Sequence, residues 1–154
     1  MKYKTDLKYV QSLWLLGLFN NNELPQLAAN LMQEGYSSDS LVKLAICAKD
    51  GTEEIRKCFE QVLIDLNMPT LSKQKALKEY GKHVLNLIIA GEIAPYDGAK
   101  NIWKTCIKHR EVGDHEFDPF IYAASEMEDR PNDREFFEAA ILNEARIFLN
   151  AETK

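Results

Sequence analysis

FDPFIYAASEMEDRPNDREFFEAAILNEARIF, residues 117–148, carries one pattern twice. Phe117, Phe120, Ile121 and Ala124 recur at spacings of three and one, and Phe137, Ile141, Ala145 and Phe148 at spacings of four and three. That is the 3.6-residue period of a helix with one apolar stripe; a half-buried strand would alternate at every second residue. Asp118-Pro119 reads as a cap followed by the first helical residue, where the N–H that proline lacks has no intrahelical partner anyway. Asn132 with Glu135 three residues on reads as a capping box opening the second helix of the pair.

The same period extends back to the start of the chain. Leu7, Val10, Leu13, Trp14 and Leu18 predict a first helix over about 5–19, broken by Asn20-Asn21-Asn22. Leu24, Leu27, Ala28, Leu31 and Met32 predict a second, with Asn22 as its cap, Pro25 in its first turn and Gly35 as its stop. Ser37-Ser38-Asp39 caps a third helix carrying Leu41, Leu44, Ala45 and Ala48. Thr52, Glu53 and Glu54 open a fourth, with Ile55, Cys58, Phe59, Val62, Leu63 and Leu66 on its buried side. Ser72 opens a long fifth through Ala76, Leu77, Tyr80, Val84, Leu87 and Ile88, closed by Gly91. Gly81 inside it costs about 1 kcal/mol relative to Ala, so close helix–helix approach is expected there. Pro95 starts a sixth with Ile102, Trp103, Cys106 and Ile107. Eight helices with short connections predict an all-α bundle of stacked hairpins, and 154 residues suit a single domain spanning 1–154.

Charge is distributed very unevenly. From Glu111 to Glu138 stand ten acidic residues against Arg130 and Arg134, a formal −8 in a chain whose total is −5. A local block of one sign bears on partners more than on fold. On the helix from 118, Asp118, Tyr122, Ser125 and Asp129 fall at i, i+4, i+7 and i+11, which places them on one outward face. Asp114, Glu116, Glu126 and Asp133 extend the acidic surface, and Tyr122 supplies a large rigid anchor within it. These eight residues are the expected partner-binding set. Helix starts also gather acids to complement the helix dipole, which accounts for part of the block at Asp118, Asp133 and Glu135.

Chemistry finds little footing. The three histidines, His83, His109 and His115, contain no pair at helical ligand spacing, and a weak cation site at Glu111, His115, Glu116 and Asp118 competes with a solvated loop. Cys106 and His109 are three apart on one helix and could touch, but an apolar-face cysteine with a polar helix end is the commoner arrangement. Gly91, Gly98 and Gly113 are isolated, so no phosphate loop forms; Asp97-Gly98 reads as local backbone geometry. No metal, cofactor or catalytic residue is expected, and the chain reads as a non-enzyme. The acidic balance argues against direct nucleic-acid binding, which needs a basic surface. No apolar run reaches the ~20 residues of a membrane span. The segment MKYKTDLKYV lacks an apolar secretory core. Three cysteines within apolar helical stretches read as buried reduced thiols of a cytoplasmic protein.

Two stretches carry a resemblance. LPQLAANLMQEGYSSDSLVKLA (24–45) is an apolar helix, a glycine, an Asp-Ser and a second apolar helix, and GEIAPYDGAKNIW (91–103) has the form Gly-x-Ile-x-Pro-x-x-Gly-Ala-x-x-Ile-Trp. With the acidic, Phe-rich C-terminal helix pair they resemble small helical bacterial proteins, among them helical immunity proteins of toxin–immunity systems of the contact-dependent inhibition type. The resemblance implies a helical fold and a cognate basic toxin domain as partner, with a nuclease the expected toxin, since its cleft must bind polyanions. It implies no active site. The other reading is a non-catalytic helical scaffold or regulatory subunit that docks a basic protein. Oligomeric state is left open.

Overall fold

The computed structural model describes residues 5–48 and 50–152. Among them lie eight α-helices and no strand: α1 (Leu7–Leu15), α2 (Leu24–Gln33), α3 (Asp39–Ala45), α4 (Thr52–Asp65), α5 (Lys73–Ile89), α6 (Pro95–Lys108), α7 (Asp118–Asp129) and α8 (Arg134–Glu152). Short 3-10 turns at Asn21–Glu23, Arg110–Val112 and Pro131–Asp133 precede α2, follow α6 and precede α8. The chain divides into two compact units, residues 1–76 and 77–154, each with its own apolar core.

In the first unit the core gathers Leu7 and Val10 of α1, Leu24, Leu27, Ala28 and Leu31 of α2, Leu41 and Leu44 of α3, and Ile55, Phe59, Val62 and Leu63 of α4. These are the stripe residues that the period singles out, and burying them is the main favourable term holding the helices together. Trp14 meets Phe59 edge-on with ring centroids 4.9 Å apart. Thr5 donates its backbone N–H and its hydroxyl to the two carboxylate oxygens of Glu34 at 2.8 and 2.6 Å, fastening the segment before α1 to the end of α2. The Ser38 hydroxyl caps α3 by accepting from the Leu41 N–H at 3.1 Å. Ser40 donates to Asp65 at 2.7 Å, joining α3 to the last turn of α4.

The second core draws on Val84, Leu85 and Ile88 of α5, Ala99 and Ile102 of α6, Phe117, Phe120, Ala123, Ala124 and Met127 around α7, and Phe137, Ile141 and Ala145 of α8. Phe117 stacks on Phe148 with centroids 5.2 Å apart and lies against Gly81. The helix–helix approach expected at Gly81 is not what fills that space: a side-chain ring, Phe117 just before α7, lies against it. Gly98 is explained by space and not by backbone geometry: its φ is not positive, and an added Cβ would fall 2.5 Å from Cδ1 of Ile88. Gly35 and Gly91 close α2 and α5 in the left-handed conformation.

Several expected helix ends differ. α1 is shorter than 5–19 because Asp6 sits in extended backbone and caps it, accepting from the Tyr9 N–H at 3.2 Å. Asn22 does not cap α2; a 3-10 turn leads straight in, and its Asn21 accepts from the Trp14 indole N–H at 3.1 Å. Asp118 is the first residue of α7 rather than its cap, and its carboxylate faces the His115 ring at 3.2 Å. A 3-10 turn replaces the capping box before α8. Cys47 lies two residues beyond α3, not within a helix, and all three thiols are half-buried.

Candidate partner-binding face

α7 separates its two sides as its spacing requires. Phe120, Ala123, Ala124 and Met127 are buried, while Asp118, Tyr122 and Asp129 are exposed and Ser125 is half-exposed. Tyr122 is 61% accessible yet its ring is seated, edge-on to Phe137 at 6.5 Å. Phe136 at the start of α8 is 69% accessible and lies edge-on to the same Phe137 ring at 5.1 Å. Two large aromatics therefore stand in solvent on a shared buried support. Phe136 lies outside the expected partner-binding set. Its signal was the Phe136-Phe137 doublet, since adjacent helical residues point about 100° apart and only one can face the core.

Much of the acidic block is neutralised within the second unit. Glu128 accepts from the Lys100 ammonium and from the Tyr96 hydroxyl, the latter at 2.7 Å, and these contacts hold its carboxyl below the usual range. Glu116 lies 3.5 Å from Lys78, Glu126 3.1 Å from Arg130 and Glu138 2.8 Å from Arg134. Asp129, Asp133 and Glu135 have no ion pair among the described residues. So of the eight expected residues, Asp118, Tyr122, Ser125, Glu126 and Asp129 share α7, and Asp133 follows in the turn before α8. Glu116 sits before α7, held towards Lys78.

Asp114 belongs elsewhere. Its Oδ1 accepts from the Glu116 N–H at 2.9 Å, and its buried Oδ2 has no hydrogen-bond partner. It lines a cavity of about 260 Å³ with Trp103, Cys106, His109, Asp118 and Ile121. Burial, followed by the charges of Asp114 and Asp118, pushes the Cys106 thiol up to about 11. A nucleophilic cysteine needs the opposite, a thiolate at neutral pH. Cys106 also shares no hydrogen bond with His109 among the described residues. His109 is not a surface residue at the end of α6: it is 7% accessible, with Nδ1 3.7 Å from Glu111. Of the histidines of 109–118, His109 lies beside Glu111 and His115 beside Asp118. Among the described residues no three His, Cys, Asp or Glu side chains converge as metal ligands, and no helix is long and apolar enough to cross a membrane.

No protein-family model, curated protein or solved structure matches the chain.

Proposed function

We propose that the outward face of α7 and the start of α8 bind a basic protein domain, and that the chain is a cytoplasmic immunity protein occluding the active site of a cognate toxin, a nuclease in the leading reading. The observation that carries this is the pair of exposed aromatics, Tyr122 and Phe136, on the Phe137 ring, on helices that also carry the unpaired Asp129 and Glu135, with the unpaired Asp133 in the turn between them. Interface hot spots are rigid aromatics, and charges around them accelerate encounter with a partner of opposite sign. A nuclease cleft has that sign because it must hold phosphates. The internal pairing of Glu116, Glu126, Glu128 and Glu138 sharpens the reading, because it leaves the unpaired charge on Asp129, Asp133 and Glu135, along the same α7–α8 segment as the aromatics.

The test captures the partner on tagged protein at low salt and follows binding kinetics. Asp129→Lys with Asp133→Lys is expected to slow association roughly tenfold or more and to flatten its salt dependence. Tyr122→Ala with Phe136→Ala is expected to speed dissociation, with a loss of about 2 kcal/mol or more. Unchanged kinetics in both double variants would remove this face from the interface. Recovery of a housekeeping complex in place of a toxin would move the chain to the scaffold reading.

A further inference from the structure

Cys47, just beyond α3, and Cys58, on α4, place their Sγ atoms 3.8 Å apart. That is sulfur–sulfur van der Waals contact. The two side chains are half-buried and line one open groove with Lys43, Ile46, Glu54 and Lys57, so a small reagent can reach both. Cys47 also donates to the Lys43 carbonyl at 3.2 Å, which aims its thiol along the end of α3. A disulfide requires about 2.05 Å between sulfurs, so closure asks for an approach of about 2 Å. Rotation about the side-chain torsions of the two cysteines brings the sulfurs together. Cys106, the third free cysteine, lies in the second unit.

We propose that Cys47 and Cys58 form a reversible oxidation site, a dithiol that a peroxide closes into an intrachain disulfide. One thiolate attacks a peroxide oxygen: an S–O bond forms, the O–O bond breaks, and the departing oxygen takes a proton and leaves as water. The sulfur is now a sulfenic acid. The second thiolate attacks that sulfur, the S–S bond forms, the S–O bond breaks, and hydroxide leaves to become a second water. Two thiols have lost two electrons and hydrogen peroxide has gained them. The neighbouring sulfur is already in place, so the second step outruns further oxidation by free peroxide. A dithiol reductant reverses the change by thiol–disulfide exchange. Burial, and then Cys58, push the Cys47 thiol up, which disfavours its thiolate at neutral pH; Cys58 therefore makes the first attack on peroxide and Cys47 closes the bond, faster as pH rises. The site belongs to the first unit and does not rest on the partner-binding reading of α7 and α8.

The experiment treats the full chain with hydrogen peroxide, blocks remaining thiols with iodoacetamide and maps non-reduced tryptic peptides by mass spectrometry. Peptides 44–49 and 58–73 are expected joined, two hydrogens lighter than their sum. Titratable thiols should fall from three to one, with Cys106 alkylated, and dithiothreitol should restore all three. Sulfinic acid at Cys47 or Cys58 without the joined peptides would overturn the proposal. So would a disulfide-linked dimer on a non-reducing gel, or Cys106 reacting as fast as the pair.

Discussion

A Cβ added at Gly81 would lie 2.2 Å from Cζ of Phe117 and 2.4 Å from its Cε1, whereas one added at Gly98 would meet the Cδ1 and Cγ1 of Ile88. The difference lies in what can yield. The Phe117 ring is a rigid plane, 1% accessible, packed on Phe120 and Phe148 at 6.3 and 5.2 Å between centroids. Ile88 meets the intruder with Cδ1 and Cγ1, atoms that turn about its own side-chain torsions, and the next neighbour, Val84 Cγ1, would be 3.2 Å from the added Cβ. Alanine is favoured over glycine in a helix by about 1 kcal/mol, and this gain sets the scale for both substitutions. Gly81→Ala should lose it and a further ~1–3 kcal/mol through overpacking. Gly98→Ala should lose less, because a shift of Ile88 relieves the clash. Urea unfolding of the two variants checks this, and a larger loss for Gly98→Ala would refute the packing argument. The glycine inside a helical pattern marked a place where something packs closely, but a neighbouring helix was expected and a ring is found, because Phe117 is 36 positions away along the chain.

At the scale of the element, α7 shows how far periodicity reaches. Its inward stripe and its outward Asp118, Tyr122 and Asp129 follow from 3.6 residues per turn. Phe120→Ala should therefore destabilise the protein by about 3–5 kcal/mol, the range for emptying a buried aromatic site. Tyr122→Ala, on the exposed side, should stay within about 1 kcal/mol of the parent. Thermal unfolding followed by circular dichroism separates the two. Equal losses would mean that Tyr122 serves the core and is not held out for a partner. Helix ends were less legible. Ser38 caps α3 and Ser72 accepts from the Lys75 N–H at 3.2 Å, as their positions suggest. Asn22 and Asn132 have the right chemistry for a cap, but 3-10 turns take up both stretches. A cap needs a particular backbone angle at one residue, and packing around the turn sets that angle.

Across the whole molecule, residues far apart in sequence rewrite the charge pattern. Glu128 is one of ten acids in its window, yet Lys100 and Tyr96 of α6 hold its carboxyl in the charged form. A carboxyl whose pKa is lower folded than unfolded adds stability above its unfolded value, about 4.3 for Glu, and that contribution disappears as pH falls through the folded value. The urea midpoint should therefore fall less between about pH 6 and pH 3 in Glu128→Gln than in the parent. Identical falls would show that the Lys100 and Tyr96 contacts do not bias the ionisation. The eight helices, their buried stripes and the acidic concentration near the C-terminal pair are local properties, because helical hydrogen bonds and side-chain neighbours join residues three or four apart. Which acids remain unpaired, that Phe136 stands beside Tyr122 over one ring, and that Cys47 meets Cys58 are contacts between elements. They arise when packing brings separate helices together, and no spacing along the chain encodes that distance.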